Sequence, residues 1–347
     1  MKILITGISG FVGSFLAEYI LSLTDENHKV YGLCRWRSNR ENLKRCINDI
    51  ELIDGDLLDL PSLERVVYKS KPDIIFHLAA QSYVLTSFTS PIDTLQRNVI
   101  GTCNLLEAVR NVTGKDTNSE WGSLVIGPII QIASSSEVYG EVSNEHQLTN
   151  ESAPLKPASP YAVSKVAVDM LGYQYYQSYG MKILRTRLFS HSGARRGDVF
   201  VLSAFAKQIA AIELGLQKRE IRVGNLKSSR TFIDVRDAVR AYWLLVTKVQ
   251  DYGEVFNIGG DVDSSINDIL EKLINMSNIH NIDIKIITDK NLIRSSDVTS
   301  QIPDSSKFRK LTGWQPLYTI DDTLQSILDY WREELQINPW KVKSVDK

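Results

Sequence analysis

Tyr161 and Lys165 lie four positions apart in a stretch that predicts a helix, Pro160–Tyr179. Residues at positions i and i+4 share one face of a helix. An ammonium group near a phenol favours the phenolate, and lowers its pKa from the usual value of about 10. Such a tyrosine can remove a hydroxyl proton while hydride leaves the same substrate. This pattern alone is common, but the serines upstream at 134–136, which follow a predicted strand, supply a hydroxyl partner.

A glycine-rich loop follows the first predicted strand, Lys2–Thr6, and opens the first predicted helix. Its glycines let the backbone turn tightly and approach a pyrophosphate, and the helix N-terminus offers unpaired N–H groups. Glycines can also serve a tight turn alone, so the interpretation depends on the flanking strand and helix. The residues that we predict to contact a dinucleotide here are Gly7, Gly10, Phe11, Val12 and Gly13.

The residues after the second predicted strand indicate which dinucleotide binds. An acidic residue there would bind the ribose 2′-hydroxyl of NAD, whereas this chain has Arg35, Arg37 and Ser38. Guanidinium groups suit a 2′-phosphate because they bind its oxygens in a bidentate fashion. The sequence therefore predicts NADP, with solvated surface arginines as the alternative. Asp56 and Leu57 follow the third strand, where the carboxylate either meets the adenine amino group or is a simple turn residue.

Strands that alternate with helices predict an α/β fold, a doubly wound parallel sheet of the Rossmann kind. We expect an NADP-binding domain at 1–188 and a smaller α/β substrate-binding lobe at 189–347, from which the chain can cross back to the sheet. The main predicted helices are 11–23, 91–112, 160–179, 199–215 and 235–249, and the predicted strands are 2–6, 29–33, 73–78, 129–133, 182–186 and 254–258.

Composition narrows the classes of protein. The 347 residues are 43% hydrophobic with a formal net charge of −1, which argues against a nucleic-acid partner because phosphate binding needs a concentrated positive face. No apolar run reaches the roughly 18 residues of a membrane span, and no secretory signal pattern opens the chain. Cys34, Cys46 and Cys103 have no metal-like spacing, so we expect no metal and a cytoplasmic protein.

Several motifs together resemble the extended short-chain dehydrogenase/reductases, specifically the GDP-mannose 4,6-dehydratase group and its close relatives, the GDP-4-keto-6-deoxymannose reductases. The resemblance runs from residue 1 to about residue 331. Besides the glycine loop, it is carried by LAAQS at 78–82, SSSEVYG at 134–140, SPYAVSK at 159–165, ARRG at 194–197, VGNL at 223–226 and TGW at 312–314.

The resemblance implies roles for individual residues. Ser135 would hydrogen-bond the sugar hydroxyl beside Tyr161, Glu137 would be the dehydratase general base, and Lys165 would bind the nicotinamide ribose. Further implied cofactor contacts are Leu78, Ala79, Ala80, Gln81, Ser82, Asn98, Tyr161, Lys165, His191 and Arg196. Implied substrate contacts are Ser82, Ser190, Arg230, Arg294 and Asp297, of which the last three match positions that hold the nucleotide diphosphate.

The resemblance favours a dehydratase that converts GDP-mannose to GDP-4-keto-6-deoxymannose with internally recycled NADP. The alternatives are an NADPH-dependent reductase, another nucleotide-sugar epimerase or dehydratase, and an idle dinucleotide sensor, which would need no intact Tyr161–Lys165 pair. Ser190 and Thr231 depart from the dehydratase pattern, which has Asn and Asp there, so another sugar or nucleotide stays open. Relatives often form dimers or tetramers, and the helices predicted at 91–112 and 160–179 could bury apolar faces in a homodimer or homotetramer.

Overall fold

The computed structural model describes residues 1–24, 27–114, 127–141, 148–279, 284–293 and 301–342. Its strands, in chain order, are β1 (Lys2–Thr6), β2 (Lys29–Cys34), β3 (Ile50–Asp54), β4 (Ile74–His77), β5 (Ile129–Ala133), β6 (Leu148–Thr149), β7 (Ile183–Leu188), β8 (His191–Ser192), β9 (Glu220–Val223), β10 (Ser229–Thr231), β11 (Ile233–Asp234), β12 (Val255–Ile258), β13 (Asp263–Ser265), β14 (Lys285–Thr288) and β15 (Ile302–Pro303).

The helices complete the alternating pattern. The α-helices are α1 (Phe11–Leu21), α2 (Leu60–Ser70), α3 (Val84–Thr89), α4 (Pro91–Leu95), α5 (Gly101–Thr113), α6 (Pro160–Tyr179), α7 (Val201–Glu213), α8 (Val235–Lys248), α9 (Ile266–Met276), α10 (Ser306–Thr312) and α11 (Ile320–Ile337). A π-helical turn, Gln96–Ile100, joins α4 to α5, so the helix predicted at 91–112 contains a local change of winding. Among the described residues, no helix is both long enough and apolar enough to cross a membrane.

Seven strands form one parallel sheet in the order β12-β7-β5-β4-β1-β2-β3. Apolar side chains of α1 and α8 pack on one face of this sheet, and those of α2, α5 and α6 pack on the other. Because both faces are covered, the central strands are apolar along most of their length. The predicted α/β fold with a doubly wound parallel sheet is confirmed.

A second apolar core lies beyond the sheet, between α7, α9 and α11. The short pairs β9–β14 and β10–β13 lie beside it. After β11 the chain returns to the sheet, where α8 covers α1 and β12 pairs with β7. The division into two domains at residue 188 stays a prediction, and the structure places α8 and β12, from beyond that residue, against the sheet.

Candidate active site

A cavity of about 1250 Å³ opens at the carboxyl ends of the parallel strands and continues between the sheet and the second core. Ligands bind at this edge in open α/β sheets because the loops after the strands converge there. The predicted residues that line it are Gly7, Gly10, Phe11, Val12, Gly13, Arg35, Ser38, Asp56, Leu57, Leu78, Ala79, Ala80, Gln81, Ser82, Ser135, Glu137, Tyr161, Lys165, Ser190, His191, Arg196 and Arg230.

The glycine loop is packed too closely against neighbouring backbone to accept side chains at Gly7 and Gly13. Gly7 has a φ of +74°, and a Cβ there would lie 2.8 Å from the backbone nitrogen of Ala79. A Cβ on Gly13 would lie 2.3 Å from the carbonyl oxygen of Gly7. Gly10 is the N-cap of α1 and has no side chain to occupy the first N–H groups of the helix. The loop therefore fits a dinucleotide pyrophosphate, which would accept hydrogen bonds from those N–H groups.

Of the residues predicted to select NADP, the structure places some in the cavity lining and one outside it. Arg35 and Ser38 line the cavity, whereas Arg37 is outside its lining. The guanidinium carbon of Arg37 lies 4.6 Å from the ring centroid of Trp36, which is 73% exposed. Asp56 was predicted either to meet the adenine amino group or to be a turn residue, and its position fits both. It lines the cavity, and its Oδ1 accepts a hydrogen bond from the backbone N–H of Leu58 at 2.9 Å.

The Tyr161–Lys165 pair lies at the start of α6. Ser159 caps this helix, since its Oγ accepts from the backbone N–H of Ala162 at 3.0 Å, and Pro160 occupies its first turn. Both Tyr161 and Lys165 are buried and line the cavity. The Nζ of Lys165 donates to the carbonyl oxygen of Ala133 at 2.8 Å and lies 5.9 Å from the ring centroid of Tyr161.

The ionisation of this pair differs from the expectation based on sequence. Burial raises the pKa of Tyr161 to about 12, against the opposing effects of its hydrogen bond with Ser135 and of the Arg196 charge. The predicted lowering by Lys165 is absent because the ammonium group is turned toward Ala133. Burial also lowers the pKa of Lys165 to about 8. Burial thus disfavours the charged form of both groups, although Lys165, with a pKa of about 8, still carries its proton at pH 7.

Glu137 is held over the cavity by a 3₁₀ turn, Ser136–Tyr139. The Oγ of Ser135 accepts from the backbone N–H of Glu137 at 3.2 Å, so the two predicted site residues are directly linked. At the other end of the turn, the hydroxyl of Tyr139 donates to Oδ1 of Asn257 at 2.7 Å. The turn is thus tied to β12. The half-buried Glu137 lines the cavity, and its charge acts to raise the pKa of Tyr161.

His191 and Arg196 extend the site on the opposite side. The Nδ1 of His191 must donate to the carbonyl oxygen of Phe189 at 3.0 Å, which leaves Nε2 as an acceptor. Burial, aided by the nearby Arg196 charge, lowers the pKa of His191 to about 3. The His191 ring is nearly parallel to the Phe11 ring, and the two ring centroids are 6.0 Å apart. The Arg196 guanidinium carbon lies 3.9 Å from the ring centroid of Phe200 and 5.1 Å from that of Phe11.

Arg195 is held within its own chain by an ion pair and an aromatic contact. It has a left-handed φ of 67°, which is unusual outside glycine. Its guanidinium forms an ion pair with Glu18 at 2.8 Å and lies 4.5 Å from the ring centroid of Phe15. The strained residue therefore ties the loop after β8 to α1, the helix that follows the glycine loop.

Besides Arg37, three predicted site residues are not placed in the cavity. Asn98 is buried in the π-helical turn and is outside the lining. Arg294 and Asp297 lie outside the described residues. Of the two departures from the dehydratase pattern, Ser190 lines the cavity, whereas Thr231 is buried and is absent from its lining.

Polar side chains at the far end of the cavity were not predicted from sequence. They come from α7, β9 and the loop after β9, and they are Lys207, Gln208, Arg222 and Asn225. Asn225 belongs to the VGNL motif at 223–226, which was a signal for this surface. The positions of the other three in the cavity depend on how α7 and β9 pack together.

Comparison with known proteins identifies the family. The family model described as GDP-mannose 4,6 dehydratase matches residues 4–327. The chain belongs to this family. The resemblance predicted from the motifs is confirmed, and membership makes the chain an enzyme of the nucleotide-sugar dehydratase and epimerase class.

The relatives include both a reductase and dehydratases. The chain is 30% identical over 335 residues to a GDP-6-deoxy-D-mannose reductase of Pseudomonas aeruginosa, and this match covers 96% of the chain and 98% of the relative. It is 31% identical over 358 residues to a GDP-mannose 4,6-dehydratase of Yersinia enterocolitica, with coverages of 92% and 91%. Both the dehydratase and the reductase interpretation fit these relatives.

Solved structures agree on the fold. The structure of RMD from Pseudomonas aeruginosa complexed with NADPH has a TM-score of 0.79 at 30% identity, and the match covers 96% of this chain and all of that one (100%). A UDP-glucose 4-epimerase from Thermotoga maritima, solved with UDP-glucose, has a TM-score of 0.81 at 26% identity and the same coverages. Proteins named for different sugar nucleotides therefore share this architecture.

Proposed function

We propose that this family member is an NADP-dependent nucleotide-sugar 4,6-dehydratase, with GDP-mannose as its substrate and GDP-4-keto-6-deoxymannose as its product. The observation that supports this most is the placement of Glu137, whose backbone N–H donates to Ser135 and which lines the same cavity as Tyr161 and Lys165. A 4,6-dehydratase needs a base in addition to the tyrosine, because it breaks a C–H bond that a simple oxidoreductase leaves intact.

In this mechanism each polar side chain has a separate task. A nicotinamide dinucleotide, when bound, supplies the hydride acceptor and donor. Tyr161, in its phenolate form, takes the proton of the sugar C4 hydroxyl, and Ser135 hydrogen-bonds the same oxygen. Loss of hydride from C4 leaves a ketone that acidifies the C5 hydrogen. Glu137 removes this proton and gives a proton to the C6 hydroxyl, which leaves as water. Hydride then adds to C6 and a proton from solvent adds to C5, which gives the 4-keto-6-deoxy product. Lys165 holds the nicotinamide ribose beside Tyr161.

The proposal assigns the two parts of the chain different ligands. Residues 1–188 bind the dinucleotide, and residues 189–347 bind mainly the sugar nucleotide. Arg230 lines the cavity on the second side, where a guanidinium suits a diphosphate. The proposal keeps Arg294 and Asp297 as substrate contacts. It also keeps a cytoplasmic location, which the three cysteines without disulfide bonds support.

A reductase is the second candidate, because the Pseudomonas aeruginosa relative that matches nearly the whole chain has that name. Incubation with GDP-mannose and a catalytic amount of NADP, followed by mass spectrometry, tests the proposal. The dehydratase product is lighter than GDP-mannose by one water and forms without added reductant. GDP-mannose that stays unchanged, together with NADPH-dependent reduction of the 4-keto sugar, would establish the reductase instead.

Cofactor preference gives a first prediction. NADP binds more tightly than NAD because the Arg35 guanidinium, at the cavity edge, can pair with the 2′-phosphate. We expect Arg35→Ala to weaken NADP binding by about tenfold or more and to leave NAD binding nearly unchanged. Calorimetric titration of both dinucleotides measures this.

Arg37→Ala is the matched control, since Arg37 lies over Trp36 outside the cavity lining. We expect a smaller loss from this substitution alone. If both arginines contribute, the Arg35→Ala, Arg37→Ala double variant loses the preference for NADP over NAD that the Arg35→Ala variant retains. Equal affinities of the wild type for NADP and NAD would end the phosphate-binding interpretation.

Assembly gives a second prediction, namely a dimer or tetramer built on the helices at 91–113 and 160–179. Ile100, in the π-helical turn, is 52% exposed, and Met170, on the adjoining α6, is 41% exposed. Light scattering at micromolar concentration should report at least a dimer. Ile100→Glu with Met170→Glu should shift the mass toward a monomer, because burying carboxylates opposes association.

Ile337→Glu is the control for this experiment, since Ile337 is exposed at the end of α11. It should leave the mass unchanged. A wild type that is monomeric throughout the micromolar range would rule out the predicted assembly.

A further inference from the structure

A buried histidine links two threonines beneath the dinucleotide loop. His77 ends β4 and is only 4% exposed. Its Nδ1 lies 2.8 Å from Oγ1 of Thr6 on β1, and its Nε2 lies 2.8 Å from Oγ1 of Thr102 on α5. None of these three residues lines the cavity.

The donor and the acceptor in each hydrogen bond of His77 can be assigned from the other hydrogen bonds that Thr6 and Thr102 make. Thr6 Oγ1 accepts from the backbone N–H groups of Leu78 and Ala79, each at 3.2 Å, so its own hydrogen goes to His77 Nδ1. Thr102 Oγ1 donates to the carbonyl oxygen of Asn98 at 2.6 Å, so it accepts from His77 Nε2–H. Both ends therefore require the same neutral tautomer, with the proton on Nε2.

Protonation of His77 would break this pattern. A second ring N–H would face the Thr6 oxygen, whose two lone pairs already accept from the backbone. Burial, with a smaller contribution from Lys165, lowers the pKa of His77 to about 3, in agreement with the geometry. His77 is thus a fixed connector between Thr6 and Thr102.

Asn98 carries the connection onward to the catalytic helix. It lies in the π-helical turn, and such turns are frequent at functional sites. Its Oδ1 accepts from the backbone N–H of Gln81 at 2.8 Å, and its Nδ2 donates to the carbonyl oxygen of Gln81 at 3.0 Å and to Oγ of Ser164 at 2.9 Å. Ser164 then donates to the carbonyl oxygen of Tyr161 at 2.6 Å.

The two ends of this network lie at the cavity, although its interior does not. One end holds Leu78, Ala79 and Gln81, which line the cavity beside the glycine loop. The other end holds the first turn of α6, which carries Tyr161. Because every donor and acceptor described is used, a shift at one end leaves a buried polar group unpaired at the other.

We propose that the network of Thr6, His77, Thr102, Asn98 and Ser164 positions the loop at 78–81 and the first turn of α6 as one unit, so that dinucleotide binding and the placement of Tyr161 are coupled. His77, Thr102, Asn98 and Ser164 are positioning residues in this inference. It rests on the proposed function for the identity of the dinucleotide.

The first test uses a pair of substitutions at Thr102. Thr102→Val removes the hydroxyl and leaves His77 Nε2–H without its acceptor, whereas Thr102→Ser keeps the hydroxyl. We expect Thr102→Val to weaken NADP binding on the order of tenfold, and Thr102→Ser to restore it to within about twofold. Calorimetric titration of the full chain measures both, with the thermal unfolding midpoint recorded in parallel.

Ser164→Ala tests the coupling from the other end. If Ser164 and Thr102 act through one network, the Ser164→Ala, Thr102→Val double variant loses less NADP affinity than the product of the two single losses. Wild-type NADP affinity in Thr102→Val, or losses that multiply independently, would overturn the inference and leave the proposed function intact. A wild type that binds neither NADP nor NAD would instead overturn the proposed function.

The histidine itself gives a readout that needs no substitution. Nuclear magnetic resonance of the chain labelled with ¹⁵N in its histidine rings should show His77 as the neutral Nε2–H tautomer, with or without NADP. His77→Gln assigns the signal. A protonated ring, or the Nδ1–H tautomer, would overturn the network even if Thr102→Val failed to fold.

Discussion

Tyr161→Phe lowers the turnover number by a factor on the order of 10² to 10⁴ and leaves the fold intact. The substitution removes only the hydroxyl that exchanges the sugar proton and retains the buried ring. Tyr161 is 8% exposed, so the ring still fills its place in the cavity wall. Steady-state kinetics on the sugar nucleotide measures the loss, and thermal unfolding checks the fold.

The control for this experiment comes from the same helix. Tyr173 is 45% exposed on α6, and its ring lies 5.2 Å from the Arg185 guanidinium carbon, a contact that phenylalanine keeps. Tyr173→Phe should therefore leave turnover unchanged. Near-normal activity in Tyr161→Phe would show that the acid–base mechanism proposed for this tyrosine is wrong.

Glu137→Gln abolishes the incorporation of solvent deuterium at C5 and the loss of water. The amide keeps the shape of the side chain and the backbone bond to Ser135 Oγ, but it has no basic oxygen that can take the C5 proton. In deuterated water, the wild-type dehydratase product carries deuterium at C5 and forms without stoichiometric NADPH. Mass spectrometry and proton resonance spectra of the product measure both features.

Glu141→Gln is the matched control, because Glu141 is exposed and is absent from the cavity lining. It should retain wild-type incorporation. A reductase would consume one NADPH for each product and leave C5 untouched in both proteins. If Glu137→Gln retained the full dehydration reaction, Glu137 would be structural and the dehydratase proposal would lose its main support.

Features that depend on neighbours along the chain could be predicted from the sequence. The spacing of Tyr161 and Lys165, the Ser159-Pro160 start of α6, and the glycines after β1 are all local, and each requires one backbone conformation. Covered parallel strands need apolar residues on both faces, so their runs of isoleucine and leucine were recognisable as well. The fold class and most of the cavity lining follow from these patterns.

Properties that depend on packing were decided by the tertiary structure. Sequence spacing predicted that Lys165 lowers the pKa of Tyr161, but burial dominates and raises it to about 12. Sequence paired Arg35 with Arg37, but only Arg35 lines the cavity, because Arg37 packs on Trp36. Desolvation and side-chain direction are set by atoms far apart in the chain.

The network around His77 shows the same limit most clearly. Thr6 and His77 are 71 positions apart, and Asn98 and Ser164 are 66 apart. No spacing in the sequence indicates that these side chains meet, and Asn98 was assigned to the cofactor rather than to a buried connection. The sequence by itself determined which groups could perform the chemistry. Only the folded chain determined which of them touch, because burial and hydrogen-bond partners arise when the strands and helices come together.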